Sequence, residues 1–150
     1  MRRVLGAVLL LCLLTACGVR PTDGPIPAGP GPAFPASNRA EMTLYFLLDD
    51  RIYPISRSTP GLASPESVLT ALVRGPNAEE QKRGLSTHIP TGGKVAFTGQ
   101  LAVSLPVPLE QVPETAFDQL SCTTVATGLW GALRVTGTNG SRDLFGCPAG

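Results

Sequence analysis

The sequence predicts an α+β domain in two layers, with helices packed on an antiparallel or mixed sheet. Two observations lead to this prediction: β-prone runs occur in pairs joined by turn signals, and helical segments lie between the pairs. The predicted order is β-β-α-α-β-β-α-β-β over residues 41–150. Strands joined by tight turns, with helices between the pairs, are typical of a sheet with one helix-covered face. The length of 150 residues suits one domain.

The first pair of strands is predicted at residues 43–48 and 51–57. Asp49 and Asp50 separate the two runs, and adjacent aspartates are a turn signal. They could also act as a general acid/base pair or bind calcium, but calcium needs six or more oxygen ligands and this loop has too few acids. Pro54 inside the second run predicts an edge strand, because proline cannot donate to a sheet ladder.

Two helices are predicted next. The first begins with Ser64 as N-cap and Pro65 in the first turn, carries apolar residues at 68, 69, 72 and 73, and ends at Gly75-Pro76. A second helical turn spans residues 77–83 and is closed by Gly84, with acids first and bases last.

The second half predicts two more hairpins and a helix between them. Alternating apolar residues at 95–105 surround Gly99-Gln100, and runs at 133–136 and 143–145 flank Asn139-Gly140, a strong hairpin signal. Pro113 begins a helical stretch that extends towards Gly128. Its apolar periodicity is poor.

Residues 1–16 are predicted to be a signal peptide. Arg2 and Arg3 precede an apolar run at 4–14, which is too short for a transmembrane anchor. The ending Leu14-Thr15-Ala16-Cys17 resembles the bacterial lipobox, in which the cysteine thiol is alkylated with diacylglycerol and the peptide is cut before it. We therefore expect Cys17 to carry membrane lipid on the outer face of the plasma membrane, where two acyl chains give stable anchoring.

Residues 17–40 are predicted to be the lipidated cysteine and a linker. Six prolines and four glycines make up half of residues 18–37, without a hydrophobic period. Such a composition favours a semi-extended spacer.

Charge excludes nucleic acid as a partner. The whole chain has a net charge of +1, and loss of Arg2 and Arg3 would leave 10 basic and 11 acidic residues. Nucleic-acid binding needs a basic patch or stripe. Gly92-Gly93-Lys94 lacks the GxxxxGK[ST] frame of a nucleotide-binding loop, so we expect no nucleotide there.

The four cysteines divide by position. Cys12 lies in the signal peptide and Cys17 carries lipid, which leaves Cys122 and Cys147 as an even pair in an oxidising compartment. We expect a disulfide between them; a reactive thiol and a metal pair are the alternatives. We expect no metal site, because the chain has a single histidine and no CxxC.

The ordered motifs resemble the GerMN domain, which is named for sporulation and spore-germination proteins and also occurs in actinobacterial lipoproteins. The likeness covers roughly residues 41–137. It rests on Leu44-Tyr45-Phe46, Pro54-x-x-Arg57, Leu72-x-x-Gly75-Pro76, Gly84-Leu85-x-x-x-Ile89-Pro90 and the hairpin at 95–105. Cys122-Thr123 and Cys147-Pro148 also look like the paired cysteines of the actinobacterial versions.

The resemblance implies a non-enzymatic α/β module of the cell envelope, with no catalytic residues and no cofactor. Relatives of this kind lie in extracytoplasmic assemblies, or beside sensor kinases through a further propeller domain. The sequence ends at Gly150 without a propeller, so we do not expect the kinase role.

The function predicted from these features is a membrane-anchored interaction or scaffold module with an envelope protein as partner. The alternative is a small cell-wall-binding protein or a cell-wall enzyme. Trp130 is a candidate for binding peptidoglycan glycans, although core packing is the usual role of aromatic residues. His88 is the one candidate for catalysis, since Ser86 would share its face in an extended segment, but no GxSxG elbow occurs.

Overall fold

The computed structural model describes residues 39–129 and 131–148. Their elements in chain order are β1 (Arg39–Leu48), β2 (Arg51–Pro60), α1 (Pro65–Val73), α2 (Ala78–Lys82), β3 (Leu85–Ser86), β4 (Lys94–Phe97), β5 (Leu101–Ser104), a 3-10 turn (Leu109–Gln111), α3 (Glu114–Ala126), β6 (Leu133–Gly137) and β7 (Gly140–Leu144). The predicted mixture of helices and strands is confirmed. Within these residues, no helix is both long and apolar enough to cross a bilayer.

The strands form two sheets. The first has the order β2-β1-β3 and is antiparallel; the second has the order β4-β5-β6-β7. β5 and β6 pair in parallel, because α3 carries the chain back across the sheet before β6 begins. The predicted α+β class is therefore confirmed. Its division into two sheets, the parallel pair and the short β3 lie outside the prediction.

The β1–β2 hairpin is longer than predicted. β1 begins at Arg39, two residues inside the segment predicted as linker, and β2 continues to Pro60. Asp49 and Asp50 both have positive φ, 51° and 59°, as the two central residues of a type I′ turn require. They serve as turn residues between two strands whose register they fix.

Capping residues define the first two helices. The Ser64 side chain accepts a hydrogen bond from the Ser67 N–H, which satisfies one of the free donors at the start of α1. Asn77 and Glu80 form a reciprocal capping box at α2. Gly75, with φ of 85°, ends the first helical segment in the left-handed conformation that glycine adopts without strain.

One hydrophobic core joins both sheets and the helices. α1 packs against β1, β4 and α3. The largest buried side chains come from β1, α1, β5, α3 and β6. Phe46, Leu69 and Leu120 are fully buried. A Cβ on Gly93 would lie 2.8 Å from Val73 Cγ1, so the loop before β4 packs directly on α1.

The helix α3 buries polar side chains against the part of β1 that the short β3 leaves unpaired. Thr123 Oγ1 accepts a hydrogen bond from the Tyr45 N–H (3.0 Å), and Gln119 Nε2 donates to the Tyr45 carbonyl (3.0 Å). Gln119 Oε1 in turn accepts from the His88 N–H (3.0 Å). Gln119 and Thr123 are fully buried. This explains the poor apolar periodicity of the segment, because two of its buried side chains pair with backbone groups of other elements.

The same contacts account for Pro54. It lies opposite Tyr45 in the hairpin, and both backbone groups of Tyr45 bond to α3. Tyr45 and Pro54 therefore form a pair without mutual hydrogen bonds, in which the missing N–H of proline breaks no ladder bond. β2 is an edge strand, as the proline predicts.

Arg57 connects β2 to the two helices. Its Nε donates to Glu80 Oε1 (2.7 Å) and its Nη2 to Glu80 Oε2 (2.5 Å) and to the Gly75 carbonyl (3.1 Å). The guanidinium lies 5.2 Å from the centre of the Phe46 ring. The hydrogen bonds from Arg57 lower the pKa of Glu80, against an opposing effect of burial. Arg57 and Gly75 thus have structural roles in joining β2 to the two helices.

Candidate interaction surface

An open apolar groove lies where α3 ends, β6 begins and the chain leaves β7. Its volume is about 460 Å3. We call it the apolar groove; its lining residues, all apolar or small apart from a disulfide sulfur, are Val125, Leu129, Gly131, Ala132, Phe145, Gly146 and Cys147. Phe145 is 76% exposed, an unusual state for a large aromatic side chain. No charged side chain is among these lining residues.

Local sequence features set the shape of the groove. Gly128, with φ of 77°, ends α3, and its N–H donates to the Val125 carbonyl (2.9 Å). This turn directs the chain past Leu129 towards β6. On the opposite side, β7 ends at Leu144, one residue earlier than predicted, so Phe145 leaves the sheet instead of packing in it.

A disulfide fixes the segment that follows β7. The structure joins Cys122 of α3 to Cys147, 25 residues later, with Cα atoms 4.3 Å apart. Cys122 is buried and Cys147 is exposed. The bond therefore holds residues 145–148 against the side of α3 and keeps Phe145 at the edge of the apolar groove.

The opposite side of this C-terminal segment is charged. A smaller cleft of about 270 Å3 separates it from α3 and includes Asp118 and Arg142. Arg142 lies 4.6 Å above the Phe117 ring and donates to Glu114 Oε1 (2.8 Å). Burial and the Glu114 charge raise the pKa of Asp118, while Arg142 lowers it by a smaller amount. The segment after β7 therefore borders the apolar groove on one side and the charged cleft on the other.

The edge strand β7 leads directly into the segment that lines one side of the apolar groove. In the described residues, β7 pairs with β6 and with no second strand. An edge strand presents unpaired N–H and C=O groups. A surface that combines such an edge with an apolar groove fits a polypeptide segment.

Two of the predicted site residues, Cys17 and Trp130, lie outside the described residues. The predicted signal peptide and most of the predicted linker do as well. The neighbours of position 130, Leu129 and Gly131, line the apolar groove. The sequence does not predict Phe145 as a surface residue, because residues 143–145 are predicted to form one strand. In the structure the strand ends at Leu144.

The structure gives His88 two neighbours. Its Nδ1 lies 2.6 Å from Thr115 Oγ1, and its Nε2 lies 3.8 Å from Asp50 Oδ1. The ring partner is thus Thr115 and not Ser86. The His88 side chain is 37% exposed, and its N–H donates to the buried Gln119. His88 connects the β1–β2 turn to the start of α3.

The described part of the chain contains no cluster of three or more His, Cys, Asp or Glu residues that could hold a metal ion.

Comparisons with protein-family models, with curated proteins and with solved structures found no match to this chain.

Proposed function

We propose that this protein is a lipid-anchored, non-catalytic interaction module of the cell envelope, of the GerMN type. The observation that carries the proposal is the apolar groove beside the edge strand β7, with Phe145 exposed at its rim. The lipobox-like ending at Cys17 and the linker that follows it support a position on the outer face of the plasma membrane.

The partner that fits this surface is an extended segment of another envelope protein. Its backbone pairs with the free edge of β7, and an apolar side chain fills the groove. A glycan fits less well, because the described lining residues of the groove include no hydroxyl, amide or charged side chain.

Site-specific photo-crosslinking in intact cells tests the partner. A photoreactive residue replaces Phe145, and in a second strain it replaces Phe97, a matched control that is 56% exposed on another strand. We expect one defined protein adduct from position 145, which Ser141→Pro on β7 abolishes. Equal adducts from both positions, adducts with lipid alone, or an adduct indifferent to Ser141→Pro would contradict the proposal.

Membrane fractionation tests the anchor separately. Cys17→Ala removes the thiol that would carry lipid, and we expect the variant to leave the membrane fraction. Retention of Cys17→Ala in that fraction would refute lipid anchoring. It would leave the result of the crosslinking experiment unaffected.

A second candidate function is a small cell-wall enzyme. The contact of His88 with Thr115, and the approach of Asp50 to the other ring nitrogen, favour it, because a hydroxyl, an imidazole and a carboxylate in line are the parts of a nucleophilic site. Incubation with purified peptidoglycan distinguishes the two functions. A scaffold releases no soluble fragments, whereas an enzyme releases fragments that disappear with His88→Gln.

A further inference from the structure

A cleft between the end of α1 and the start of β4 has a cationic lining. Its volume is about 540 Å3. We call it the cationic cleft; the residues that line it are Thr70, Val73, Arg74, Thr91, Gly92, Gly93, Lys94 and Val95. Arg74 and Lys94 supply two positive charges, the threonines supply two hydroxyl groups, and no acidic residue is in the lining.

The two cations of the cleft lack the ion pairs that four other basic residues make. Ion pairs within 4 Å engage four cations elsewhere, namely Arg57, Lys82, Arg134 and Arg142. In the part of the chain that the structure describes, neither Arg74 nor Lys94 has a carboxylate within that distance. Both side chains are exposed. Their charge is therefore available to a ligand.

The walls of the cleft are held in place by packing. A Cβ on Gly93 would lie 2.8 Å from Val73 Cγ1 and 3.2 Å from Leu105 Cδ2, so the loop fits closely against α1 and β5. Gly92 has φ of 85°. Thr91 and Gly92 form a tight turn, so the backbone of the loop is also fixed locally.

The negative partial charge at the C-terminus of α1 repels an anion, but this repulsion is weaker than the attraction of the two cations. A helix C-terminus carries about half a negative charge. Arg74 and Lys94 together carry two positive charges, and the N–H groups of Arg74 and Gly75 already bond to the Thr70 and Leu72 carbonyls. The two charged side chains that line the cleft are both positive.

We propose that the cationic cleft binds a phosphate monoester carried on a sugar or polyol. A phosphate monoester has a charge between about −1.5 and −2 at neutral pH. The two cations of the cleft match this charge, whereas a ligand with one carboxylate would neutralise only one of them. Arginine contacts phosphate with two parallel N–H groups, and lysine adds a compact charge. The cleft volume exceeds that of one phosphate, which leaves room for the carbon chain beside the threonine hydroxyls. The proposal is independent of the apolar groove.

Isothermal titration of the full chain in nonionic detergent with glucose 1-phosphate tests the proposal. We expect saturable binding to one site, weakened about tenfold by Arg74→Gln and by Lys94→Gln, since each removes a charge-assisted hydrogen bond. Arg83→Gln is the matched control, because Arg83 is also exposed, lies on the nearby α2 segment and has no ion pair in the described residues. That variant is expected to bind as the unmodified protein does.

Three results would overturn the proposal. Titration without saturation would exclude a site. Equal weakening by Arg83→Gln and Arg74→Gln would show a general charge effect. Binding to phosphatidylglycerol vesicles, lost in Arg74→Gln and accompanied by no heat from glucose 1-phosphate, would assign the cleft to a membrane surface. Circular dichroism of each variant checks that the fold is intact.

Discussion

The hydrogen bond between α3 and the edge of β1 gives the sharpest test of how this fold is held together. Thr123→Val keeps the shape of the side chain and removes the hydroxyl that accepts from the Tyr45 N–H. Tyr45 and Pro54 form a pair without mutual hydrogen bonds, so the Tyr45 N–H faces away from β2 and finds no replacement acceptor there. The substitution therefore leaves a partly buried backbone donor without a partner.

The expected loss follows from that unpaired donor. A buried donor without an acceptor costs about 1–3 kcal/mol, and a middle value is about 2 kcal/mol. For a domain of about 110 residues the entropy of unfolding is roughly 0.23 kcal/mol/K, so Tm falls by about 9 °C. Thr124→Val is the matched control. Its hydroxyl donates to the Leu120 carbonyl, which also accepts the helical N–H, so its loss costs about 0.5 kcal/mol or less.

Urea unfolding, with the disulfide intact, measures both variants. We expect a lower midpoint for Thr123→Val with an unchanged slope, and a midpoint for Thr124→Val close to that of the unmodified protein. Equal losses in the two variants would refute the reasoning, because both sites are buried and only Thr123 bonds to β1. A neutral Thr123→Val would refute it as well.

Three further predictions concern the charged contact, the disulfide and the loop before β4. Arg57 lowers the pKa of Glu80 below its unfolded value. This pair therefore stabilises the fold above about pH 4.5, and its contribution is lost as the pH falls through the folded pKa. The free energy of unfolding, measured from pH 7 to 3, should fall less steeply for Glu80→Gln than for the unmodified protein. Replacing Cys122 and Cys147 together by serine removes a crosslink that closes 25 residues, and urea unfolding should show a loss of about 3.5 kcal/mol; no loss would show that the native chain lacks the bond. Gly93→Ala places a Cβ 2.8 Å from a neighbouring methyl, so thermal unfolding should show a loss of about 1–3 kcal/mol.

The local elements could be predicted because their signals are contiguous in the chain. The Asp49-Asp50 turn, the Ser64 cap and the glycine that ends α1 each act on neighbouring backbone groups. Short-range hydrogen bonding and allowed φ values decide such features without help from the rest of the molecule. The same is true of Pro54, whose missing N–H restricts it to an edge strand.

The candidate site could be predicted only in fragments. Cys122 and Cys147 were identified as a pair from their number and compartment, but Phe145 was assigned to a strand. The apolar groove takes its lining from the end of α3, the start of β6 and the segment after β7. The cationic cleft likewise joins Arg74 to Lys94, which the sequence separates by a helix and a strand. No local pattern contains such a combination.

The sequence by itself determined the order of the helices and of every strand except β3, most of the turns and caps, and the α+β class. The tertiary structure alone decided the division into two sheets, the parallel pairing of β5 with β6, and the burial of Gln119 and Thr123. The reason is physical. Turns and caps are satisfied by groups a few residues away, whereas a buried amide or hydroxyl is stable only where a distant strand, here β1, supplies a backbone group for it to pair with.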